Sequence, residues 1–204
     1  MKSKQIIGIV WLIFSLFSCK ESTEDLIDQG VSLADKGRYK EAIEKYTRVI
    51  DKNSKIQLAY LNRGLCYINT KEYLKSLDDF NTILNLKTLG GGNIIFTLNP
   101  DHADVIEEAK YQVSYDDGIY GRAQARYFLD SLKSSYEDFQ RLIDNNYPEK
   151  VFCILFQSDI LHESGNDTTA CQFAQWARKI AQKPDEIVDC DSTVRNYCEK
   201  TNRE

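Results

Sequence analysis

Two stretches of the chain, 34 residues apart, carry the same pattern of residue types. Residues 26–46 read LIDQGVSLADKGRYKEAIEKY, and residues 60–80 read YLNRGLCYINTKEYLKSLDDF. Each stretch has a glycine at its fifth place, Gly30 or Gly64, and ends on a large aromatic residue, Tyr46 or Phe80. A fixed period of this size is typical of helical hairpins that stack on one another, with small residues where two helices approach closely.

These residues resemble the tetratricopeptide repeat (TPR), whose pattern is Trp-x2-Leu-Gly-x2-Tyr, then Ala-x3-Phe, then Pro. The positions that match in the two repeats are Leu26, Gly30, Leu33, Ala42 and Tyr46, and then Tyr60, Gly64, Tyr67, Ser76 and Phe80. The sequence departs from the family at Gln29 and Arg63, where the family prefers leucine, and it lacks the closing proline. The resemblance implies an all-α fold, a right-handed superhelical stack of antiparallel helix pairs.

The period predicts one repeat domain over residues 26–204. We expect repeats at residues 23–56, 57–88, 116–149 and 151–184, and a capping helix at residues 185–200. Residues 89–115 interrupt the period and predict an insertion after the second repeat, with a triple glycine at residues 90–92 and a short β-prone run at residues 94–98. A helix over residues 103–115 is expected to end near Asp116-Asp117-Gly118. The third repeat is then predicted to place its helices at residues 120–130 and 134–145, with one residue lost near the turn.

The start of the chain has the features of a signal peptide, predicted over residues 1–18. Lys2 and Lys4 precede an apolar run at residues 6–17, which is short for a membrane span. The run ends in Leu16-Phe17-Ser18-Cys19, which resembles the bacterial lipobox; the resemblance implies a lipid on Cys19 and a tether at residues 19–25. No Asp follows Cys19, which by the same resemblance favours the outer membrane of a Gram-negative bacterium. The alternative is an uncleaved anchor with an incidental cysteine.

The charge balance argues against nucleic acid as a partner. The chain has 26 basic and 31 acidic residues, for a net charge of −5. Loss of Lys2 and Lys4 with the signal peptide would make the chain more acidic still. No basic stripe is present to follow a phosphate backbone.

Six cysteines in a chain expected to be exported raise the question of disulfides. Cys66, in a repeat helix, is expected to pack as a small apolar residue. The geometry of the repeats that the resemblance implies places Cys153 and Cys190 at similar heights on parallel first helices, and Cys171 opposite Cys198 on antiparallel neighbours. We therefore predict the bridges Cys153–Cys190 and Cys171–Cys198. Four free thiols are the alternative.

No pattern in the sequence points to an enzyme or to a bound cofactor. G-x-S-x-G, H-E-x-x-H and Walker motifs are absent, and no Lys-Ser/Thr follows the triple glycine. His102, between Asp101 and Asp104, is the one place where a metal or an acid–base pair can be imagined. A solvated helix start explains the same residues, and we predict no metal.

The TPR resemblance implies instead a protein-binding surface on the concave face lined by the first helices. That face is expected to contain Ile27, Asp28, Val31, Leu58, Leu61, Asn62, Leu65, Ile68 and Asn69. The family's clamp for a C-terminal carboxylate needs Lys, Asn and Arg at set positions. In this chain only Asn62 matches one of these positions. The groove suits a partner's helix or extended segment, or the chain's own residues 94–98. We therefore expect a lipid-anchored adaptor for another protein of the cell envelope; the alternatives are a metal-binding or enzymatic accessory protein using His102, and a self-associating structural stack.

Overall fold

The computed structural model describes residues 21–89 and 108–201, and within these ranges the regular structure is α-helical. The helices are α1 (Thr23–Asp35), α2 (Tyr39–Lys52), α3 (Gln57–Asn69), α4 (Tyr73–Leu89), α5 (Tyr115–Phe128), α6 (Leu132–Asp144), α7 (Lys150–Glu163), α8 (Asp167–Ile180) and α9 (Pro184–Thr201). Cys19, His102 and the predicted strand at residues 94–98 lie outside the described residues. No helix in the described ranges combines the length and the apolar character that a membrane crossing requires.

The helices form a stack of antiparallel pairs, as the sequence predicted. Each helix packs against the next one along the chain, and α4 packs directly on α5 even though the insertion separates them. First helices of neighbouring pairs also meet: α1 contacts α3, α3 contacts α5, and α7 contacts α9. The stack is therefore continuous across the insertion, while its right-handed superhelical sense stays a prediction.

The same tight turn joins the two helices of every pair. One residue in each turn has a left-handed backbone: Gly37 (φ 72°), Lys71 (φ 62°), Asp130 (φ 59°) and Gly165 (φ 78°). The next residue donates its N–H to a carbonyl in the last turn of the first helix, at 2.8–2.9 Å in all four pairs. These turns are 34, 59 and 35 residues apart and give the register by which the four repeats are compared below.

Close approach between the two helices of a pair explains the small residues of the repeat. A Cβ added to Gly30 would lie 2.5 Å from a ring carbon of Tyr46, and one added to Gly64 would lie 2.9 Å from the ring of Phe80. A buried serine links the paired helices in three repeats. The Ser76 hydroxyl donates to the Gly64 carbonyl (2.9 Å), Ser135 to Ala123 (2.8 Å) and, in the opposite direction, Ser158 to Ala170 (2.7 Å).

The first helix of the third repeat begins earlier than the sequence predicts. Helix α5 starts at Tyr115 rather than at residue 120, and residues 112–114 are not helical. Ser114 caps α5 by accepting the Asp117 N–H at 2.9 Å, and the Asp117 carboxylate accepts the Ser114 N–H at 3.2 Å. Asp116-Asp117-Gly118 is therefore the first turn of a helix and not the end of one, and no residue is lost at the following turn.

The cysteines of the fourth repeat and of the capping helix form one bridge rather than two. Cys171 of α8 and Cys198 of α9 are joined, with an S–S distance of 1.99 Å. The predicted bridge between Cys153 and Cys190 is absent, because both are free, buried thiols in different core clusters. Cys153 packs with Phe139 and Leu142, whereas Cys190 packs beside Ala177.

Candidate protein-binding surface

A groove lies between α1 and α3, the first helices of the first and second repeats. It encloses a cavity of about 160 Å³ lined by Val31, Ala34, Asp35, Tyr39, Tyr46, Asn62, Leu65, Cys66 and Asn69, which we call the N-terminal groove. Four of the predicted face residues are in this lining: Val31, Asn62, Leu65 and Asn69. Val31 is 40% exposed, so the groove offers apolar surface to a second molecule.

Polar side chains in the N-terminal groove are held by neighbours in the chain. Asn62 is hydrogen-bonded to the hydroxyl of Tyr46, whose pKa burial raises well above its usual range. The Asn69 amide donates to the Leu65 carbonyl at 2.9 Å. Burial also raises the pKa of the Cys66 thiol to about 11, so this sulfur remains protonated at neutral pH and packs as an apolar group.

The other predicted face residues have different roles. Ile27 is only 5% exposed and belongs to the core with Leu26, so its assignment to the binding face is corrected. Asp28 is exposed on α1. Leu58, Leu61 and Ile68 are half-buried and pack against the core below the face.

A short segment at the C-terminal end of the predicted insertion covers the N-terminal ends of α1 and α3, and sequence reasoning missed it. In this segment, residues 108–114 (the strap), the Tyr111 carbonyl accepts the Leu58 N–H at 3.0 Å and the Val113 N–H donates to Gln57 at 3.3 Å. Tyr111 and Val113 are each 8% exposed.

Ion pairs hold the two flanks of the strap. Glu108 pairs with Lys55 at 3.3 Å, and Lys110 pairs with Glu24 at 3.0 Å. Tyr111 and Val113 are buried, and Gln112 between them is exposed. This alternation of apolar and polar residues is the signal in the sequence that indicates an extended, half-buried segment. The strap thus occupies part of the surface that a partner was expected to fill.

The concave positions of the last repeat carry different chemistry. In the register of the turns, Val31 and Leu65 correspond to Asp159, and Ala34 and Ile68 correspond to His162. Sequence reasoning did not select the residues at this end, which are Tyr127, Phe128, Phe156, Asp159, Glu163 and Tyr197; we call them the aromatic–acidic face.

Tyrosine hydroxyls hold both carboxylates of the aromatic–acidic face. The Tyr197 hydroxyl donates to Asp159 at 2.6 Å, and the Tyr127 hydroxyl donates to Glu163 at 2.7 Å. Burial raises the pKa of Asp159 above its ordinary value, because the hydrogen bond from Tyr197 only partly offsets the loss of water. His162, beside this face, stacks on Tyr197 at 4.4 Å between ring centroids and contacts Asp167.

No arrangement of side chains in the described residues assembles a metal site of three or more His, Cys, Asp or Glu. The hypothetical site at His102 lies outside those residues.

The fold and the face define a class of structure, the TPR-like helical stack. Solved structures with this fold include a tetratricopeptide repeat protein from Parabacteroides merdae, with a TM-score of 0.64 and 16% identity, covering 98% of this chain and 68% of that one. MamA (41-end) from Desulfovibrio magneticus gives a TM-score of 0.59 at 16% identity over 79% of this chain and 76% of that one. A putative kinesin light chain from Podosopora anserina with nearly identical TPR-like repeats gives 0.62 at 9% identity, covering 89% and 87%.

Likeness in sequence is confined to a short part of the chain. Mitochondrial import receptor subunit TOM34 of Pongo abelii and of Homo sapiens is 35% identical over 66 residues, or 32% of this chain. The matched part spans 21% of the length of these curated relatives. No family model matches the chain. The solved structures therefore show the fold, and the likeness to the curated relatives covers a short segment.

Proposed function

We propose that this protein is a non-enzymatic adaptor that binds another protein of the cell envelope through its concave face. The observation that carries the proposal is the N-terminal groove, an open apolar cavity on the face where repeat stacks bind peptides and helices. Its lining combines exposed Val31 with half-buried Leu65, so a partner's apolar side chain would remove both from water. The TPR-like fold of the solved structures supports the same function.

We propose further that a lipid on Cys19 anchors the adaptor to a membrane, in the outer membrane of a Gram-negative bacterium. The support for the anchor is the sequence alone: an apolar run followed by Leu16-Phe17-Ser18-Cys19. Replacing Cys19 with Ser should move the protein from the membrane fraction to the soluble fraction after cell lysis. Unchanged fractionation would contradict the lipid anchor and leave the groove proposal intact.

Site-specific photo-crosslinking in the native host tests the groove. A photoreactive residue at position 31, inside the N-terminal groove, should yield one dominant protein adduct. The same residue at position 44, exposed on α2, is the control and should not yield that adduct.

A matched pair of variants then separates binding from folding. Val31→Glu places a charge in the groove and should abolish the adduct formed from a photoreactive residue at position 65. Val188→Glu makes the same change on α9, at a side chain 66% exposed, and should leave the adduct unchanged. An adduct that survives Val31→Glu, or none from position 31, would overturn the proposal.

A further inference from the structure

The two ends of the concave face differ in chemistry at equivalent positions. Where the N-terminal groove has Val31 and Leu65, the last repeat has Asp159. Where the groove has Asn62, the last repeat has Phe156, and where it has Asn69, the last repeat has Glu163. One end of the face therefore suits apolar side chains, and the other presents aromatic rings and carboxylates.

The carboxylates of the aromatic–acidic face have hydrogen bonds but no cationic partner of their own chain among the described Lys and Arg side chains. The hydrogen-bond partners of Asp159 and Glu163 are the neutral tyrosine hydroxyls already described. Elsewhere in the stack, buried carboxylates pair with arginine: Asp79 with Arg63, and Asp138 with Arg122 and Arg126. Of the two carboxylates of the aromatic–acidic face, Asp159 is half-buried and Glu163 is exposed. A half-buried carboxylate without a lysine or arginine partner, as Asp159 is, is the arrangement that an incoming positive charge stabilises most.

The aromatic rings around these carboxylates are also suited to a cation. Tyr127 packs edge-to-face on Phe156, with ring centroids 5.4 Å apart, and Phe128 beside them is 41% exposed. Ring faces attract lysine ammonium and arginine guanidinium groups, and they cover the apolar stems of both side chains. Charge and ring chemistry thus select the same kind of ligand.

We propose that the aromatic–acidic face binds a segment of a partner protein through a lysine or arginine side chain placed between the carboxylates of Asp159 and Glu163. This inference rests on the proposed adaptor function and adds the chemistry of the partner: a basic residue at this end, with an apolar residue in the N-terminal groove. Acidic segments are disfavoured, because two like charges would have to approach each other in a partly dehydrated site.

Selection from a library of short random peptides displayed on phage, on the full chain in non-ionic detergent, tests the proposal. Peptides that bind the wild type should be enriched in lysine and arginine. The double variant Asp159→Asn/Glu163→Gln removes both charges and keeps an oxygen for each tyrosine hydroxyl. It should weaken binding of the best synthetic peptide by at least about tenfold, the effect of one lost charge-assisted hydrogen bond.

A matched charge removal and a salt series complete the test. Glu137→Gln removes a carboxylate from the exposed surface of α6 and should leave peptide affinity unchanged. Affinity should fall as salt rises from about 0.1 M to about 1 M, because the screening length drops from about 10 Å to about 3 Å. Equal thermal melting of both variants and the wild type shows that the fold is intact.

The outcomes separate the inference from the proposed function. Selection of peptides that lack basic residues overturns the inference and leaves the adaptor function standing. The same holds if peptide affinity is unchanged in the double variant but lost in Val31→Glu. A failure of the folded chain to select any peptide overturns both.

Discussion

At the scale of single residues, the left-handed turn position shows where backbone geometry limits the choice of side chain. Gly37 and Gly165 adopt positive φ angles without steric cost, whereas Lys71 and Asp130 hold equivalent angles with a Cβ present. Nothing lies within 4 Å of a Cβ built on Gly37, so the backbone angle alone decides the effect of a substitution there.

Two reciprocal substitutions test this position. Gly37→Ala should lower the free energy of unfolding by about 1 kcal/mol, the cost of a left-handed non-glycine residue. Lys71→Gly should raise it by a few tenths of a kcal/mol, because relief of that cost exceeds the added freedom of the unfolded chain. Urea denaturation of each variant measures both changes. A stabilised Gly37→Ala variant would contradict the account.

Buried charge pairs are the second residue-scale feature, and they explain one departure from the TPR pattern. Arg63 stands where the family prefers leucine, and its guanidinium donates to both oxygens of Asp79, at 2.9 and 2.7 Å. Arg122 and Asp138 form the same pair at the equivalent positions of the third repeat, at 2.9 and 2.7 Å. The first repeat has Gln29 and Lys45 at these places and forms no such pair.

A double-mutant cycle measures what the Arg63–Asp79 pair contributes. Asp79→Leu should destabilise the protein by about 3–5 kcal/mol, because it leaves the half-buried Arg63 without its counter-ion. Arg63→Leu/Asp79→Leu should cost less than Asp79→Leu alone, since no unpaired charge remains. Thermal and urea denaturation of the three chains give the coupling energy. A double variant less stable than Asp79→Leu would contradict the explanation that an unpaired Arg63 charge causes the destabilisation.

At the scale of the helix, α9 closes the stack and is fixed to α8 by the only disulfide among the described cysteines. Its N-terminal end is held by Glu186, whose carboxylate accepts the N–H groups of Gln182 and Lys183 at 3.0 and 3.2 Å and whose pKa is lowered as a result. Its C-terminal half lies against α7 through Tyr197. The disulfide joins residue 198 to 171 and closes a loop of 27 residues.

Removing the bridge should loosen α9 more than the rest of the stack. Cys171→Ala/Cys198→Ala should lower the stability by about 3 kcal/mol through the greater freedom of the unfolded chain. Wild type kept in dithiothreitol should unfold at the same temperature as this variant. Hydrogen exchange, followed by mass spectrometry, should show the largest loss of protection in residues 184–198. Uniform loss over all helices would contradict a local role for the bridge.

Helix type and the turns of the first two repeats were predictable from the sequence, but the start of α5 and the turn of the third repeat were not. The repeats supply glycine, serine and aromatic residues at a fixed spacing, which sets the pairing of helices by packing alone. At α5, the interrupted period favoured a helix end at Asp116-Asp117-Gly118. The capping pair Ser114 and Asp117, which the first repeat also has as Ser22 and Asp25, decides the start instead.

At the scale of the whole molecule, each helix pair is stabilised by its contacts with the neighbouring pairs. Each helix buries apolar surface against its neighbours in the chain, so the last helix protects the end of the stack. Val151, Ile154 and Ala177 form the cluster that Cys190 of α9 helps to cover.

A chain that ends after residue 183 tests this dependence. It lacks α9 and should melt at lower temperature and self-associate, because Val151, Ile154 and Ala177 would face solvent. Light scattering during heating and analytical size-exclusion chromatography report both effects. A truncated chain that stays monomeric and melts with the wild type would show that α9 is not needed to close the stack.

The concave face was the least predictable part, for reasons that belong to the whole molecule. Val31 and Leu65 line the groove as the repeat pattern predicts, whereas Ile27 is buried within the core that Tyr111 of the strap completes. The strap is the C-terminal end of the predicted insertion, so its place on α1 and α3 depends on contacts distant in sequence. The last repeat matches the first at Leu161, Gly165, Ala170 and Ala174. Asp159 and Glu163 lie outside these matching positions and were missed because they resembled solvated surface.

The reversed serine bond of the last repeat has a consequence for how such chains diverge. Repeats two and three place the hydroxyl on the second helix, and the last repeat places it on the first, yet each joins the same two helices with one buried bond. A comparison made position by position scores Ser158 and Ala170 as two mismatches, although the pair is physically equivalent to Gly64 and Ser76. The sequence of a repeat can therefore diverge far from that of its relatives, because two facing residues can exchange their roles. The buried hydrogen bond between the two helices is retained.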